Sequence, residues 1–312
     1  MAAMSDHVAD RLHAAITASG SLACVGLDPR PSLLPPSVVE EALARHGDTA
    51  DGVASAFLAF NRGLIDAIAG ACAAIKPQAA CYEAYGWQGM RALIETVAYA
   101  HGRGVPVILD GKRGDIGSTA EHYQQAYLGA APGLRTSAIP GCGADWLTIN
   151  GYLGGDGVLP FRDAQARHGV FVLVKTSNAS SGELQDRSLQ VGADGATSVM
   201  QAMALLVAGW GASRRGSCGL SDVGAVVGAT YPDQARELRR LMPDTLFLVP
   251  GYGAQGGSAA DALAGLRPQG DGVLVNSSRG IIAAWQKHPS GGWAAAARGA
   301  LDAMNRDLNR LR

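Results

Sequence analysis

At 312 residues, 47% hydrophobic and 17% charged, the chain has the balance of a globular protein long enough for one large domain or two ordinary ones, which fits neither a coiled coil nor a disordered chain. A formal net charge of -1 without any basic block argues against nucleic acid or an anionic membrane as the main partner, so anion binding must be local. No apolar stretch approaches the roughly 20 residues of a membrane span, and Asp6, His7, Asp10, Arg11 and His13 make Met1 to Ser21 unlike a signal peptide, so a cytoplasmic protein is expected.

In chain order, Ser5 to Ser19 reads as a short helix with Val8, Leu12 and Ile16 at helical spacing, stopped by Gly20. A first strand spans Leu22 to Leu27, and the prolines at 31, 35 and 36 mark Pro29 to Asp48 as a long loop. A helix carrying Phe57, Phe60, Leu64 and Ile68 precedes a second strand, Ala73 to Pro77, which holds Lys76. The next helix places Met90, Leu93, Ile94, Val97 and Ala98 on one face. A third strand, Val105 to Leu109, follows it, with Ser118 and Thr119 as caps for a helix from Ala120 to Leu128.

Five further strands are expected: Trp146 to Asn150, Val170 to Val174, Val223 to Ala229, Leu246 to Val249 and Gly272 to Asn276. Val199, Met203, Leu206, Val207 and Trp210 form a helical stripe between the second and third of these. Trp293, Leu301, Met304, Leu308 and Leu311 belong to a final covering helix. Cys24, Cys72, Cys81, Cys142 and Cys218 are odd in number and lack any CxxC, so they read as buried small residues, not as disulfides or zinc ligands. Short apolar strands alternating with amphipathic helices require a parallel sheet buried on both faces. Eight units fit a single (β/α)8 TIM barrel over residues 1–312, with an extra N-terminal helix and a C-terminal covering helix; an open doubly wound sheet is the alternative.

Charge gathers at one strand end, in Leu109-Asp110-Gly111-Lys112-Arg113-Gly114-Asp115-Ile116. Side chains of a strand alternate, so Asp110 and Lys112 should share one side while Gly111 and Arg113 face away. Gly114 then lets the chain turn, and Asp115 points elsewhere. A lysine beside carboxylates stays protonated, which suits a proton donor.

In a barrel the strand tips converge on the site. They carry Asp28, Lys76, Asp110 with Lys112, Asn150, Lys175 to Asn178, Tyr231, the run Pro250 to Gly257, and Ser277 to Gly280. The last two loops suit a phosphate: glycine-rich backbone offers amides, and Ser278-Arg279-Gly280 adds a guanidinium. Gly251-x-Gly253-x-x-Gly256 also matches a dinucleotide fingerprint with Asp271 as its acid, but Asp271 lies at the wrong end of its strand.

Asp110-x-Lys112-x-x-Asp115-Ile116 after a strand, with Lys76 before it and both Pro250-Gly-x-Gly-Ala-Gln255-Gly-Gly and Arg279 after it, resembles the orotidine 5'-phosphate decarboxylase family. The run Asp110 to Thr119 and the tract Val174-Lys175-Thr176-Ser177-Asn178 are similar to its longer bacterial (type 2) branch. The resemblance implies conversion of orotidine 5'-monophosphate to uridine 5'-monophosphate without metal or cofactor, in a homodimer with shared sites. It implies that Lys112 stabilises the carbanion and donates the proton, aided by Asp110, Lys76 and the partner copy's equivalent of Asp115. It further implies that Ile116 and Thr119 also reach the partner's site, that Asp28 and Lys76 hold ribose hydroxyls, and that Ser177 meets the pyrimidine. Gln255 and Arg279 are implied at the phosphate, Pro250 and Ser278 beside it, and Gly253 in a lid. Gly111 departs from the pattern, since many relatives carry a larger residue there.

Three rivals stand beside this. A magnesium-dependent sugar-phosphate aldolase or decarboxylase shares the DxKxxD barrel element. Lys175 at a strand tip suits a Schiff base. A non-catalytic nucleotide-binding protein is the third, although a binder has no need for alternating Asp and Lys at one tip.

Overall fold

The computed structural model describes residues 6–189, 198–253, 256–287 and 292–312. Helix α1 (Val8–Ser19) leads into strand β1 (Ala23–Leu27), followed by α2 (Pro36–His46), α3 (Ala50–Ile68) and β2 (Ala74–Pro77). Next come α4 (Ala79–Glu83), α5 (Gly86–Gly102), β3 (Ile108–Arg113), α6 (Gly117–Tyr127) and a hairpin of β4 (Ala130–Pro132) and β5 (Ala138–Pro140). The chain continues through β6 (Trp146–Ile149), β7 (Gly169–Lys175), α7 (Val199–Gly211), β8 (Val223–Val227), α8 (Pro232–Leu241), β9 (Phe247–Val249), α9 (Ala259–Ala262), β10 (Val273–Ser277), α10 (Arg279–Ile282) and α11 (Trp293–Asn309).

Eight of these strands form one parallel sheet in the order β2-β1-β10-β9-β8-β7-β6-β3. The two ends meet through isolated parallel pairs, Ile75 with Val107 and Gln78 with Asp110, and Ile75 N donates to Pro106 O at 3.0 Å. The expected (β/α)8 barrel is therefore the observed one, closed along a thin seam between β2 and β3. Its interior strands are buried on both faces, as their near-continuous apolar sequences require.

The extra terminal helices have distinct places. Arg11, His13 and Asp10 of α1 bind Asp145, Asp271 and the Ser217–Cys218 amides, all of which precede barrel strands. The helix thus covers the amino-terminal mouth of the barrel. Helix α11 buries Ala297, Leu301, Met304 and Leu308, and Trp293 packs on Phe60 with ring centroids 5.2 Å apart.

Several expectations are corrected. Pro29 to Asp48 is not a loop: Pro36 occupies the first turn of α2, where its missing N–H costs nothing, and Val38 and Ala42 are buried. The third strand begins later and runs through the charged stretch to Arg113. Ser118 and Thr119 do not cap α6, whose N-cap is Ile116 without a side-chain bond. On α5, Leu93 and Val97 are buried beside Gly89, Ala92, Thr96 and Ala100, whereas Ile94 and Ala98 are exposed and Met90 is half-buried. On α7 the buried stripe is Met200, Ala204, Val207 and Gly211, and Leu206 is exposed. Leu311 lies beyond α11 and is exposed, and β4 and β5 have no counterpart among the expected strands. Cys24, Cys72 and Cys142 are buried as expected, whereas Cys81 and Cys218 are half-buried; none of the five forms a disulfide.

Candidate active site

At the carboxyl ends of the strands lies a cavity of about 470 Å³, lined in part by Asp28, Lys76, Asp110, Lys112, Ser177, Pro250 and Ser278. Asp28, Pro250 and Ser278 also line an adjoining cleft of about 320 Å³, which adds Arg279 and Arg30. Nine strand-tip residues from the sequence, Thr176 and Asn178 among them, are thus in one chamber, and Arg279 is in its annex.

Asp110 is the hub. Its Oδ2 accepts Lys76 Nζ at 2.7 Å and Gln78 Nε2 at 3.1 Å, while its Oδ1 accepts Lys112 Nζ at 2.6 Å and Thr148 Oγ1 at 2.8 Å. Lys76 and Asp110 are nearly enclosed, but the Lys112 side chain is 48% exposed and opens onto the cavity. Burial disfavours the Asp110 carboxylate, yet the charges of Lys76 and Lys112 overcome this and hold it below the ordinary carboxylate range. Burial likewise disfavours the Lys76 ammonium, but Asp110 and Asp28 outweigh it and raise Lys76 above its ordinary value. The result is a fixed row of alternating charge, Lys76, Asp110, Lys112.

The alternation expected along β3 holds for the side chains. Gly111 faces Leu147 and the Arg113 stem, so its departure from the family pattern concerns packing. Arg113 turns outward to Glu83 and Tyr127, with its guanidinium 5.1 Å from the Tyr127 ring centroid. Left-handed backbone in this stretch falls on Lys112 at φ 46° and on Gly117 at φ 52°, and not on Gly114. A left-handed backbone costs a side-chain-bearing residue about 1–2 kcal/mol, and here the Lys112 amide is held by Thr148 Oγ1 at 3.0 Å.

Asp115, Ile116 and Thr119 do not line this chain's own cavity. Asp115 Oδ1 accepts the Ile116 amide, and the Ile116 side chain is exposed. Gly253 is exposed at φ 68° in a loop folded back by the Gly253 N to Gly257 O bond of 2.9 Å. Gln255 lies outside the described residues. Asp271 is chelated by Arg267 through two bonds of 2.7 Å ahead of β10 and does not line the cavity at the strands' carboxyl ends, which counts against the dinucleotide fingerprint. Lys175 does not line the cavity; its side chain is wholly buried with Nζ on Asp186 at 2.7 Å, so it is not presented to a substrate there as a Schiff-base lysine would be.

Gln78, Thr148, Asn276 and Arg30 also line the cavity or its adjoining cleft, although no sequence motif marks them. Asp28 Oδ1 and Asn276 Oδ1 are buried without a hydrogen-bond partner among the described residues, and both side chains line the cavity. An unpaired buried acceptor costs about 1–3 kcal/mol, so a donor such as a sugar hydroxyl is what each oxygen suits. Ser278 reaches this wall because β1 has a glycine beneath it: a Cβ on Gly26 would stand 1.9 Å from Ser278 Oγ.

Residues 22–289 match the family model described as orotidine 5'-phosphate decarboxylase / HUMPS family. The chain belongs to this family. It is 45% identical over 308 residues to the orotidine 5'-phosphate decarboxylase of Rhodopirellula baltica, covering 96% of this chain and 98% of that relative. It is also 45% identical over 278 residues to the Haloarcula marismortui orotidine 5'-phosphate decarboxylase, covering 88% and 87% of the two chains. The fold superposes on the structure of Leishmania donovani OMP decarboxylase with a TM-score of 0.72 and 32% identity, covering 98% of each chain. Within the orotidine 5'-phosphate decarboxylase family, Asp110 and Lys112 of this row are the first two members of the chain's DxKxxD element, Asp110-x-Lys112-x-x-Asp115, and Lys76 joins them from β2.

Proposed function

We infer that the protein is a carboxy-lyase converting orotidine 5'-monophosphate to uridine 5'-monophosphate and carbon dioxide, the closing step of de novo UMP synthesis. The observation that carries this is the likeness, at 45% identity over nearly the whole chain, to an orotidine 5'-phosphate decarboxylase. The charged row at the cavity is chemistry suited to that reaction.

When the bond from the ring to the carboxylate breaks, carbon dioxide leaves and the electron pair stays on a ring carbon that delocalises it poorly. Fixed positive charge must already stand there. Lys112 supplies it, transfers a proton from its ammonium to that carbon, and is reprotonated from water. Oriented charges of this kind are commonly the largest catalytic contribution, with one well-placed donor worth about 3–4 kcal/mol. Asp110 remains ionised and Lys76 protonated, so the Lys112 ammonium is aimed without rearrangement at the moment of reaction.

Asp28 and Lys76 are assigned to the ribose hydroxyls, in keeping with the unpaired Asp28 oxygen. Ser177 is assigned to the pyrimidine, Arg279 to the phosphate with Pro250 and Ser278 beside it, and the loop of Gly253 and Gln255 to a lid whose closure converts phosphate binding into catalysis. The working unit is a cytoplasmic homodimer of single-domain chains, in which Asp115, Ile116 and Thr119 complete the neighbouring site. Their position outside their own cavity supports this, as does the exposure of Ile116. Among the described residues no helix is long and apolar enough to cross a membrane.

The test is loss of the orotate ultraviolet absorbance when purified protein meets orotidine 5'-monophosphate, with and without EDTA. Loss indifferent to EDTA, with uridine 5'-monophosphate as product, is expected. No loss from folded protein would overturn the assignment, and loss abolished by EDTA would revive the metal-dependent reading.

A further inference from the structure

Lys175 ends β7 with its side chain wholly buried, yet the chemistry above leaves it no task. Its ammonium donates to Asp186 Oδ1 at 2.7 Å and sits 4.1 Å from the centroid of the Tyr231 ring. Asp186 lies in the loop that follows β7, and it also accepts Gln234 Nε2 of α8 at 3.1 Å. The Tyr231 hydroxyl accepts Ser181 Oγ of the same loop at 3.1 Å. One buried cation therefore joins the two ends of the loop and ties it to the start of α8.

What this loop carries is the wall of the cavity. Thr176, Ser177, Asn178 and Gln185 all line it. Gln185 Oε1 accepts the Thr176 amide at 3.0 Å, its Nε2 donates to Thr176 Oγ1 at 2.8 Å, and Thr176 Oγ1 donates to Asn178 Oδ1 at 2.6 Å. From below, Gly228 admits Ser177 closely, since a Cβ there would stand 3.0 Å from it. A buried charge stripped of its partner is strongly unfavourable, so Lys175 restricts the loop to arrangements that keep Asp186 within reach.

We propose that Lys175, Asp186 and Tyr231 form a latch that fixes the loop from Thr176 to Gln185 over the cavity, making Lys175 a positioning residue for recognition of the pyrimidine. The proposal rests on the assignment of Ser177 to the base. The latch explains why a strand tip at the active site carries a lysine that never faces the substrate.

Calorimetric titration with uridine 5'-monophosphate and with ribose 5-phosphate separates the base from the rest of the ligand. In Lys175→Met, which keeps a long apolar side chain in the buried slot, affinity for uridine 5'-monophosphate should fall about tenfold to a hundredfold. Affinity for ribose 5-phosphate should stay within about twofold, because Asp28, Lys76 and Arg279, assigned to the sugar and phosphate, stand at β1, β2 and β10, outside the loop that the latch holds. Asp186→Asn should shift the same ratio in the same direction, and it decides the matter should Lys175→Met fail to fold. Adding Ser177→Ala to Lys175→Met should cost less than the sum of the two single changes. An unchanged ratio in both latch variants, or equal loss of both ligands, would overturn the latch while leaving the decarboxylase assignment standing. An unaltered protein that binds the two ligands equally would overturn the latch together with the assignment of Ser177.

Discussion

Thr148 Oγ1 donates to Asp110 Oδ1 at 2.8 Å and itself accepts the Lys112 amide at 3.0 Å. One buried hydroxyl thus braces both the carboxylate that aims the lysine and the left-handed backbone from which the lysine springs. Thr148→Val keeps the shape and removes the brace, leaving the Lys112 amide without its acceptor. Loss of such a bond costs about 1–3 kcal/mol, so kcat should fall roughly tenfold to a hundredfold. Thr148→Ser should restore most of it. Steady-state kinetics on the two variants checks this, and equal rates for Val and Ser would dismiss the hydroxyl.

Lys112→Ala should lose turnover by at least about a thousandfold, since both a fixed charge and a proton donor disappear. Its circular dichroism should match the unaltered protein, because the side chain is half exposed and packs little. Near-normal activity would remove Lys112 from the mechanism.

Arg279→Ala should raise KM for the phosphorylated substrate by roughly tenfold to a hundredfold, the value of one charge-assisted hydrogen bond of about 1.5–3 kcal/mol. An unchanged KM would move the phosphate away from the cleft that Arg279 shares with Asp28 and Ser278.

Lys112→Ala and Asp115→Ala proteins, each inactive alone, should recover activity on mixing. In a two-fold dimer with shared sites, random exchange leaves about a quarter of all sites with neither lesion. Native mass spectrometry reports the exchange; hybrids without activity would count against sharing.

Because Asp110 is held below the ordinary carboxylate value, its contribution to stability is complete above about pH 3.9 and fades as pH falls through its folded value. Lys76 is raised, so its contribution is complete below about pH 10.4 and fades as pH rises through its folded value. Neither group should therefore shape the pH-rate profile between about pH 5 and 9. A carbon-13-detected titration of the Asp110 carboxyl should show no inflection at or above about pH 3.9. An inflection there would mean that the two lysines do not hold it ionised.

The site was legible wherever one strand supplied both partners. Asp110 and Lys112 are two residues apart, and alternation alone puts them together. Thr148 and Gln78 were not legible, because each comes from a neighbouring strand end and meets Asp110 only once the barrel has closed. Thr148 also sits in Trp146-Leu147-Thr148-Ile149, where a threonine reads as a strand former. For the fold, apolar runs located all eight barrel strands, yet the phase of α7 escaped: nearly every position from Val199 to Gly211 is apolar or small, so periodicity has no polar face to set against. Pro35-Pro36 concealed α2 because proline at a helix start looks, in sequence alone, like proline in a loop.

The thin seam between β2 and β3 has a consequence for how this enzyme can change. Elsewhere neighbouring strands share ladders of at least two successive residue pairs, but across this joint the pairs are isolated, and the Lys76 to Asp110 ion pair and the Gln78 to Asp110 contacts stand among the few ties. The residues that organise the chemistry are also rivets in the wall. Selection for activity and selection for an intact barrel consequently fall on the same carboxylate. A variant that gives up Asp110 forfeits part of its architecture along with its turnover, and engineered gains in robustness have the most freedom on the opposite side of the barrel.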